Sequence, residues 1–513
     1  MNIKSVLVVG GGSSGWCTAA ALAKFCPTLK ITVVESSDIP TIGVGESTIQ
    51  YFNTFINFLG LKDEDWMPKC NATYKGAIKF TNFNQGCHYY APFKDITNIN
   101  QNTLQSWSVL SSVDKNITPD YFGKYVWSGT QLLDENKFTD YDSYLDFNLK
   151  DNTSYNLDAA LFGNYLRDYY CKPKGVLNIL DTVEDIIIDN NGFVSSIKGN
   201  NGSYTADLYI DCTGFNSLLL EKTMKVPFKK YDELFNDRAV VFNNIEYIDK
   251  DKELEGYTNT IAKEYGWIWN IPLWNRISNG YVYSSKFTSD EQALDYLKDH
   301  VASVRGKDRA DKQKPFYVTI KNGRHERAWV KNVVGIGLSF GFIEPLGSTG
   351  LLLTQKGIIQ LVTLLNSRNF NFNAFDTENF NYFYNDLIDS LKDFYLVHFL
   401  TTQRDDTDYW KHIKYNIIPD SESFKRVQSM LAYTIHDNQN YTPINIFHWQ
   451  LYGMGYNGYN IEMVRHLIDN GDMVRYGKEE AIKFWQNDTK IKEYVAKLPT
   501  LSEFLAKNIY KTH

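Results

Sequence analysis

The chain opens with an apolar run, Val6-Leu7-Val8-Val9, that stops at Gly10-Gly11-Gly12-Ser13-Ser14-Gly15 and resumes as an alanine-rich segment from Trp16 to Ala23. A second apolar run, Ile31-Thr32-Val33-Val34, ends on Glu35. Short apolar runs punctuated by glycine predict buried strands, and the alanine-rich stretch predicts a helix, so residues 1–35 read strand, turn, helix, strand. Further along, the pattern predicts a strand pair, Ala77–Phe80 with Cys87–Tyr90, then a helix over Ala159–Tyr170 and a strand over Gly175–Leu180. A hairpin follows, with Asp185–Ile188 turning at Asn190-Asn191-Gly192. Tyr204–Asp211 and Val333–Leu338 predict two more buried strands, and residues 238–290 a β-rich, aromatic region. Residues 94–150 are rich in Asn, Asp, Ser and Tyr without clean period and read as an irregular insertion, whereas the chain beyond about 350 reads mostly as helix.

The first turn carries chemistry. In a strand–G-x-G-x-x-G–helix unit, Gly10 permits the sharp turn, Gly12 lets backbone approach a pyrophosphate, and Gly15 lets helix and strand pack closely. The N–H groups of Ser13, Ser14 and Gly15 then face the anion at the positive end of the helix dipole. Glu35, ending the next strand, is placed to bind ribose hydroxyls. Only one complete fingerprint is present, so one dinucleotide is expected and no separate nicotinamide domain.

Composition narrows the class. The formal charge is −7 with no long Lys/Arg block, which speaks against a nucleic-acid surface. The six cysteines are scattered without C-x-x-C spacing, as expected of reduced thiols rather than a zinc site or disulfide framework, and no metal is expected. A cradle beginning at residue 10 leaves no room for a signal peptide, and no apolar run reaches membrane-spanning length. The expectation is a soluble, cytoplasmic protein without a membrane partner.

Four further segments point one way. Gly43-Val44-Gly45-Glu46-Ser47-Thr48 resembles the G-V-G-E-A-T turn of the flavin-dependent halogenases. Asn71 to Phe80 resembles the segment bearing that family's catalytic lysine, and Gly266-Trp267-Ile268-Trp269-Asn270-Ile271-Pro272 matches its W-x-W-x-I-P signature. Phe342-Ile343-Glu344-Pro345-Leu346-Gly347-Ser348-Thr349-Gly350 resembles its halide loop, and His398 and Arg404-Asp405-Asp406 are weaker echoes.

The resemblance implies an α/β fold, an FAD-binding three-layer Rossmann-type core of the GR2-like flavin monooxygenase kind, with a mostly helical substrate lobe. The domains expected are a discontinuous FAD-binding domain over 1–350, interrupted by a substrate-lobe insertion at about 94–155, and a helical lobe over 351–513. It implies that FADH2 from a separate flavin reductase, with O2, turns halide (chloride, bromide or iodide) into hypohalous acid. That species then reaches a lysine beside an electron-rich aromatic substrate. Lys79 is the candidate, acting as an ammonium that polarises the hypohalous acid or as an amine that forms a haloamine; Lys75 is set below it because Ala77-Ile78-Lys79-Phe80 carries the local pattern. By family position, Ser47, Val183, Leu338 and Leu351 join Gly10, Gly12, Ser13, Ser14, Gly15 and Glu35 at the FAD, while Ser348, Thr349 and Gly350 bind halide. Trp267 and Trp269 shield the flavin from organic substrate, and Phe93 contacts the acceptor.

Two departures qualify the substrate. Gly347 stands where tryptophan halogenases carry a glutamate thought to assist the lysine, and Ala91-Pro92-Phe93 stands for a His-Pro-Phe triplet, keeping only Phe93. Free tryptophan is therefore a poor fit, and a phenol, indole-like or other activated aromatic is expected. The rival reading is a two-component flavin monooxygenase or epoxidase that needs no halide. A homo-oligomer is left open.

Overall fold

The computed structural model describes residues 2–39, 43–84, 86–94, 101–417 and 471–512. Ile42 of the second glycine turn, residues 95–100 of the expected insertion and residues 418–470 of the expected helical region lie outside the described residues. The chain divides into two compact units, each assembled from three segments.

The first unit gathers Met1–Ala72, Leu157–Phe235 and Ile320–Asp389. Its centre is a six-stranded sheet in the order Leu177–Leu180, Lys30–Glu35, Ser5–Val9, Leu208–Asp211, Val333–Gly335, Trp329–Val330. The first five strands run parallel and the last is antiparallel. Val6 to Val9 and Leu208 to Ile210 are buried on both faces, which is why these strands read as unbroken apolar runs rather than alternating ones. The Ser13–Phe25 helix packs against this sheet through Trp16 and its alanines, and against the Gly350–Ser367 helix. The hairpin predicted at Gly192 is present, with Val183–Ile188 paired to Val194–Gly199 and Gly192 at φ +80°.

The second unit gathers Thr73–Asn156, Asn236–Thr319 and Ser390–His513. A seven-stranded sheet forms it, in the order Phe316–Thr319, Arg238–Ile245, Ile277–Tyr283, Gly266–Pro272, Tyr257–Lys263, Ala77–Thr81, His88–Pro92. One face carries Val240, Phe242, Ile268, Ile277 and Tyr281, packed on Ala293, Leu297 and Val301 of the Asp290–Arg305 helix. Ser289 and Gln292 close that helix's first turn with a capping box. A short ribbon of Thr73–Lys75 paired antiparallel with residues 154–156 belongs to the same unit.

This partition differs from the expected boundary at 350. Residues 320–350 share the first unit with 351–389, and the second unit is organised by strands rather than helices. The aromatic and β-branched stretch 238–283 closes its own sheet with the strand pair at 77–92, so the chain shuttles between units instead of finishing one before starting the next. Five of the six cysteines are buried, Cys87 being the half-exposed one.

Candidate active site

The glycine turn has the geometry its sequence requires. Gly10 sits at φ +107°, where a Cβ would lie 2.4 Å from the Cys212 carbonyl oxygen. A Cβ at Gly15 would come within 1.9 Å of the Gly10 carbonyl oxygen, whereas one at Gly12 would meet nothing within 4 Å. Gly12 is also the N-cap of the Ser13–Phe25 helix, with no side chain closing the first turn and no acid within it. Ser13 Oγ donates to the Ala159 carbonyl at 3.0 Å, so its side chain is turned away from the helix end and the backbone N–H groups are left facing outward.

Glu35 is fixed at the end of its strand. Asn178 Nδ2 donates to Oε1 at 2.8 Å and Trp16 Nε1 to Oε2 at 3.3 Å. Val183 follows Thr182, whose hydroxyl bonds that of Ser36 at 2.7 Å, one residue past Glu35. Leu338 lies in the short 3₁₀ turn Gly337–Ser339, and a Cβ on Gly337 would strike Ser14 Oγ at 2.4 Å and Thr354 Oγ1 at 3.0 Å. The start of the first helix, the turn holding Leu338 and the start of the Gly350–Ser367 helix, with Leu351 in its first turn, therefore converge.

Ser348 and Thr349 form a second helix entry. Ser348 has φ +59°, and its hydroxyl donates to Ser47 Oγ at 3.0 Å, tying this loop to the second glycine turn. Thr349 caps the Gly350–Ser367 helix without a side-chain bond to its first turn, and that turn holds no acid. An anion is favoured at such an end. Beside Ser47, burial pushes the Glu46 carboxyl up to about 7, a titratable group that the sequence motif did not single out.

In the second unit, Trp267 and Trp269 alternate along one strand and share a face, with ring centroids 6.2 Å apart. Both are buried, and Trp269 lies over Gly280, its cross-strand partner, where a Cβ would fall 2.0 Å from the indole. Gly280→Val is expected to displace this ring at a cost of about 1–3 kcal/mol, read as a lower melting temperature and altered tryptophan fluorescence.

The register separates the two lysines. Ile268 faces the Asp290–Arg305 helix, so Trp267 and Trp269 face the opposite way. Lys79 pairs with Asn259, which pairs with Asn270, two residues from Ile268. Lys79 thus lies on the helix-facing side, away from the tryptophans. Its ammonium stands 5.3 Å from the Tyr90 ring centroid and 5.2 Å from that of Tyr257. Tyr90 donates to Asp134 and Tyr257 to Glu255, at 2.9 and 2.8 Å. Burial lowers the Lys79 pKa, and Glu255 and Asp134 pull it back up. Lys79 is a half-buried cation with nearby countercharge.

Lys75 has a different setting. It is 0% exposed, and its Nζ lies 5.4 Å from the Phe93 ring centroid. Burial holds its pKa well below the ordinary lysine value. The ribbon that carries it is tied to the sheet by two hydrogen bonds. Thr73 Oγ1 donates to the carbonyl of Pro272, the last residue of the W-x-W-x-I-P strand, and Thr258 Oγ1 donates to Asn156 Oδ1, both at 2.8 Å. Thr258 is two residues from Thr260, the cross-strand partner of Trp269, so Asn156 bonds to the tryptophan face. Of the two lysines, Lys75 is the one buried from water on a ribbon joined to that face. The joint is Gly76, whose N–H bonds the Gly256 carbonyl at 2.7 Å while its carbonyl accepts from Phe93 N–H at 3.1 Å.

The description "Tryptophan halogenase" is that of the family model matching residues 5–467. Tryptophan 6-halogenase SttH of Streptomyces toxytricini is 35% identical over 453 residues, covering 82% of each chain. Tryptophan 7-halogenase RebH of Lentzea aerocolonigenes is 34% identical over 80% of this chain and 78% of its own. The apo structure of VirX1 matches with a TM-score of 0.91 and 38% identity over 100% of both chains. The chain belongs to the tryptophan halogenase family. It is a flavin-dependent halogenase, an oxidoreductase with an FAD-binding Rossmann-type α/β fold that uses FADH2, O2 and halide on an aromatic substrate and works with a separate flavin reductase. No helix among the described residues is long and apolar enough to cross a membrane, and no group of side chains among them could hold a metal ion.

The halogenase's first unit fits the dinucleotide: open space over Gly12, an unclosed helix N-terminus and a carboxylate pinned at the next strand end are what pyrophosphate and ribose require. Two more buried groups stand out, one that the sequence marked only as a weak echo and one that it did not mark. His398, on the tryptophan face beside Phe80, bonds the Tyr89 hydroxyl at 3.1 Å and is pushed down to about 3 by burial, hence neutral. Asn156 has no motif to mark it.

Proposed function

We propose that this halogenase acts on an electron-rich aromatic other than free tryptophan, with Lys75 as the amine that receives the halogen. The observation that carries the reading is the complete burial of Lys75 against Phe93, the aromatic kept from the family's substrate triplet. When bound, reduced FAD supplies with O2 the two-electron oxidation of halide to hypohalous acid.

The chain's own residues do the rest. Gly12 and the first helix hold the pyrophosphate, and Glu35 the ribose. Ser348, Thr349 and Gly350 hold halide at the second helix entry through backbone N–H groups. Trp267 and Trp269 bar the organic substrate from the oxidising centre. Lys75, excluded from water, keeps a free electron pair on nitrogen that can take up the halogen, and Phe93 offers a face for the acceptor ring. Gly347 in place of glutamate, and Ala91 in place of histidine, remove the polar groups that would bind and direct free tryptophan.

Lys79 is the second reading, favoured by its two-tyrosine setting. Its half-exposed position on the far face of the sheet, with two carboxylates favouring the charged form, suits an ion held in place better than a halogen carrier.

The test is mass spectrometry of an aromatic panel incubated with enzyme, FAD, reductase and NADH in chloride, bromide and iodide separately. Halogenated phenols or indoles, with little turnover of free tryptophan, are expected. Oxygenated product formed equally well without halide would replace this reading with the monooxygenase.

A further inference from the structure

The ribbon that carries Lys75 also holds a buried amide with one hydrogen bond unmade. Asn156 is 0% exposed, and its Oδ1 accepts from Thr258, while its Nδ2 has no hydrogen-bond partner among the described residues. A buried amide left with an unmade bond costs about 1–3 kcal/mol, so its retention calls for a ligand. Turned over, the amide would instead leave its carbonyl oxygen orphaned, so one of its two atoms lacks a partner either way.

The register sets that atom beside the amine. Thr73 pairs with Asn156 and Lys75 with Ser154, so by strand alternation Thr73, Lys75, Ser154 and Asn156 share one face of the ribbon. Lys75 and Asn156 are diagonal neighbours, about 7–8 Å apart at the backbone, a span that a lysine and an amide close with one small molecule between them.

We propose that the Asn156 side-chain amide is a catalytic hydrogen-bond donor in the halogen transfer at Lys75, holding the oxygen of hypohalous acid while the halogen passes to the amine. The inference rests on Lys75 as the receiving amine. The Lys75 nitrogen attacks the halogen, and the N–halogen bond forms as the halogen–oxygen bond breaks. The oxygen departs as hydroxide and takes a proton from the new haloammonium, giving water and a neutral haloamine. An aromatic carbon then takes the halogen, the N–halogen electron pair returns to nitrogen, which takes up a proton from water, and the ring proton leaves to water, restoring the neutral amine. The two-electron oxidation was completed in making hypohalous acid, so neither step needs another oxidant. Asn156 N–H meets the negative charge that grows on the departing oxygen, where a fixed donor in a dry site has its largest effect.

Asn156→Leu keeps side-chain volume and removes the donor, and Asn156→Ser keeps a smaller polar group. Each is compared with wild type and with Lys75→Ala as holoenzyme, reading halogenated product per NADH, hypohalous acid captured by a 1,3-diketone trap in the medium, and melting temperature. For Asn156→Leu we expect product per NADH to fall about a hundredfold and trapped hypohalous acid to rise, with the melting temperature held to within about 2 °C. Asn156→Ser, expected to recover part of the coupling, decides the matter if the leucine variant does not fold. Wild-type coupling in both variants while Lys75→Ala is inactive would overturn the Asn156 role alone. So would coupling that falls only together with a large drop in melting temperature. Activity retained in Lys75→Ala would overturn the lysine assignment instead.

Discussion

Lys75→Ala abolishes halogenation, by about 10³-fold or more, while flavin binding measured by fluorescence titration stays at the wild-type level. The expectation follows from burial: no other amine on this ribbon face is shut off from water as Lys75 is. Lys79→Ala, made in parallel, keeps most of the activity, because that cation lies on the opposite side of the sheet. The reverse outcome would return the role to Lys79. Lys75→Met adds a stability readout whose sign follows from linkage. The folded-state pKa of Lys75 lies well below the ordinary value near 10.5, so the unfolded chain binds more protons in the window between the two. Wild-type stability therefore rises with pH across that window. The methionine variant, which has no such group, melts higher at neutral pH by about 2 °C or more, and the gap closes as pH approaches 10.5. In the wild type, halogenation falls on the acid side as the amine takes its proton.

Gly15→Ala prevents FAD binding and destabilises the first unit by about 3 kcal/mol or more. Its methyl carbon would sit 1.9 Å from a backbone carbonyl, a clash no side-chain rotation relieves. Gly12→Ala separates binding from folding. Its Cβ meets nothing within 4 Å, so the protein melts normally, yet the methyl occupies the space a pyrophosphate would enter. We expect affinity for FAD to drop about a hundredfold with an unchanged melting temperature, read by flavin fluorescence and thermal denaturation. Full FAD affinity in the Gly12→Ala protein would mean that the cofactor is held elsewhere.

The sequence reported the first unit well for a physical reason. Gly10 and Gly15 each meet a distinct steric demand, and Val6–Val9 and Leu208–Ile210 are buried on both faces, so each leaves a local trace. The choice between Lys75 and Lys79 left none, because it depends on strand register. Gly76 breaks the chain between two pairings, Lys75 with Ser154 and Ala77 with Tyr257, and the two lysines depart to different surroundings although their local patterns look alike. The domain boundary was illegible for a similar reason: whether the strands at 238–283 join the parallel sheet or the pair at 77–92 is settled by long-range pairing. Asn156 was invisible because an asparagine on a strand signals nothing until both of its amide atoms are accounted for.

The buried thiols have a consequence for an enzyme that handles a bleach. Hypohalous acid consumes sulfur through the thiolate, and burial raises all six cysteines, Cys171 to about 12 and Cys26 to about 11. Thiol sulfur here is held in its less reactive, protonated form. Thiol oxidation during long turnover then begins at Cys87, the one thiol with surface to spare, and replacing that single atom is the shortest route to removing it.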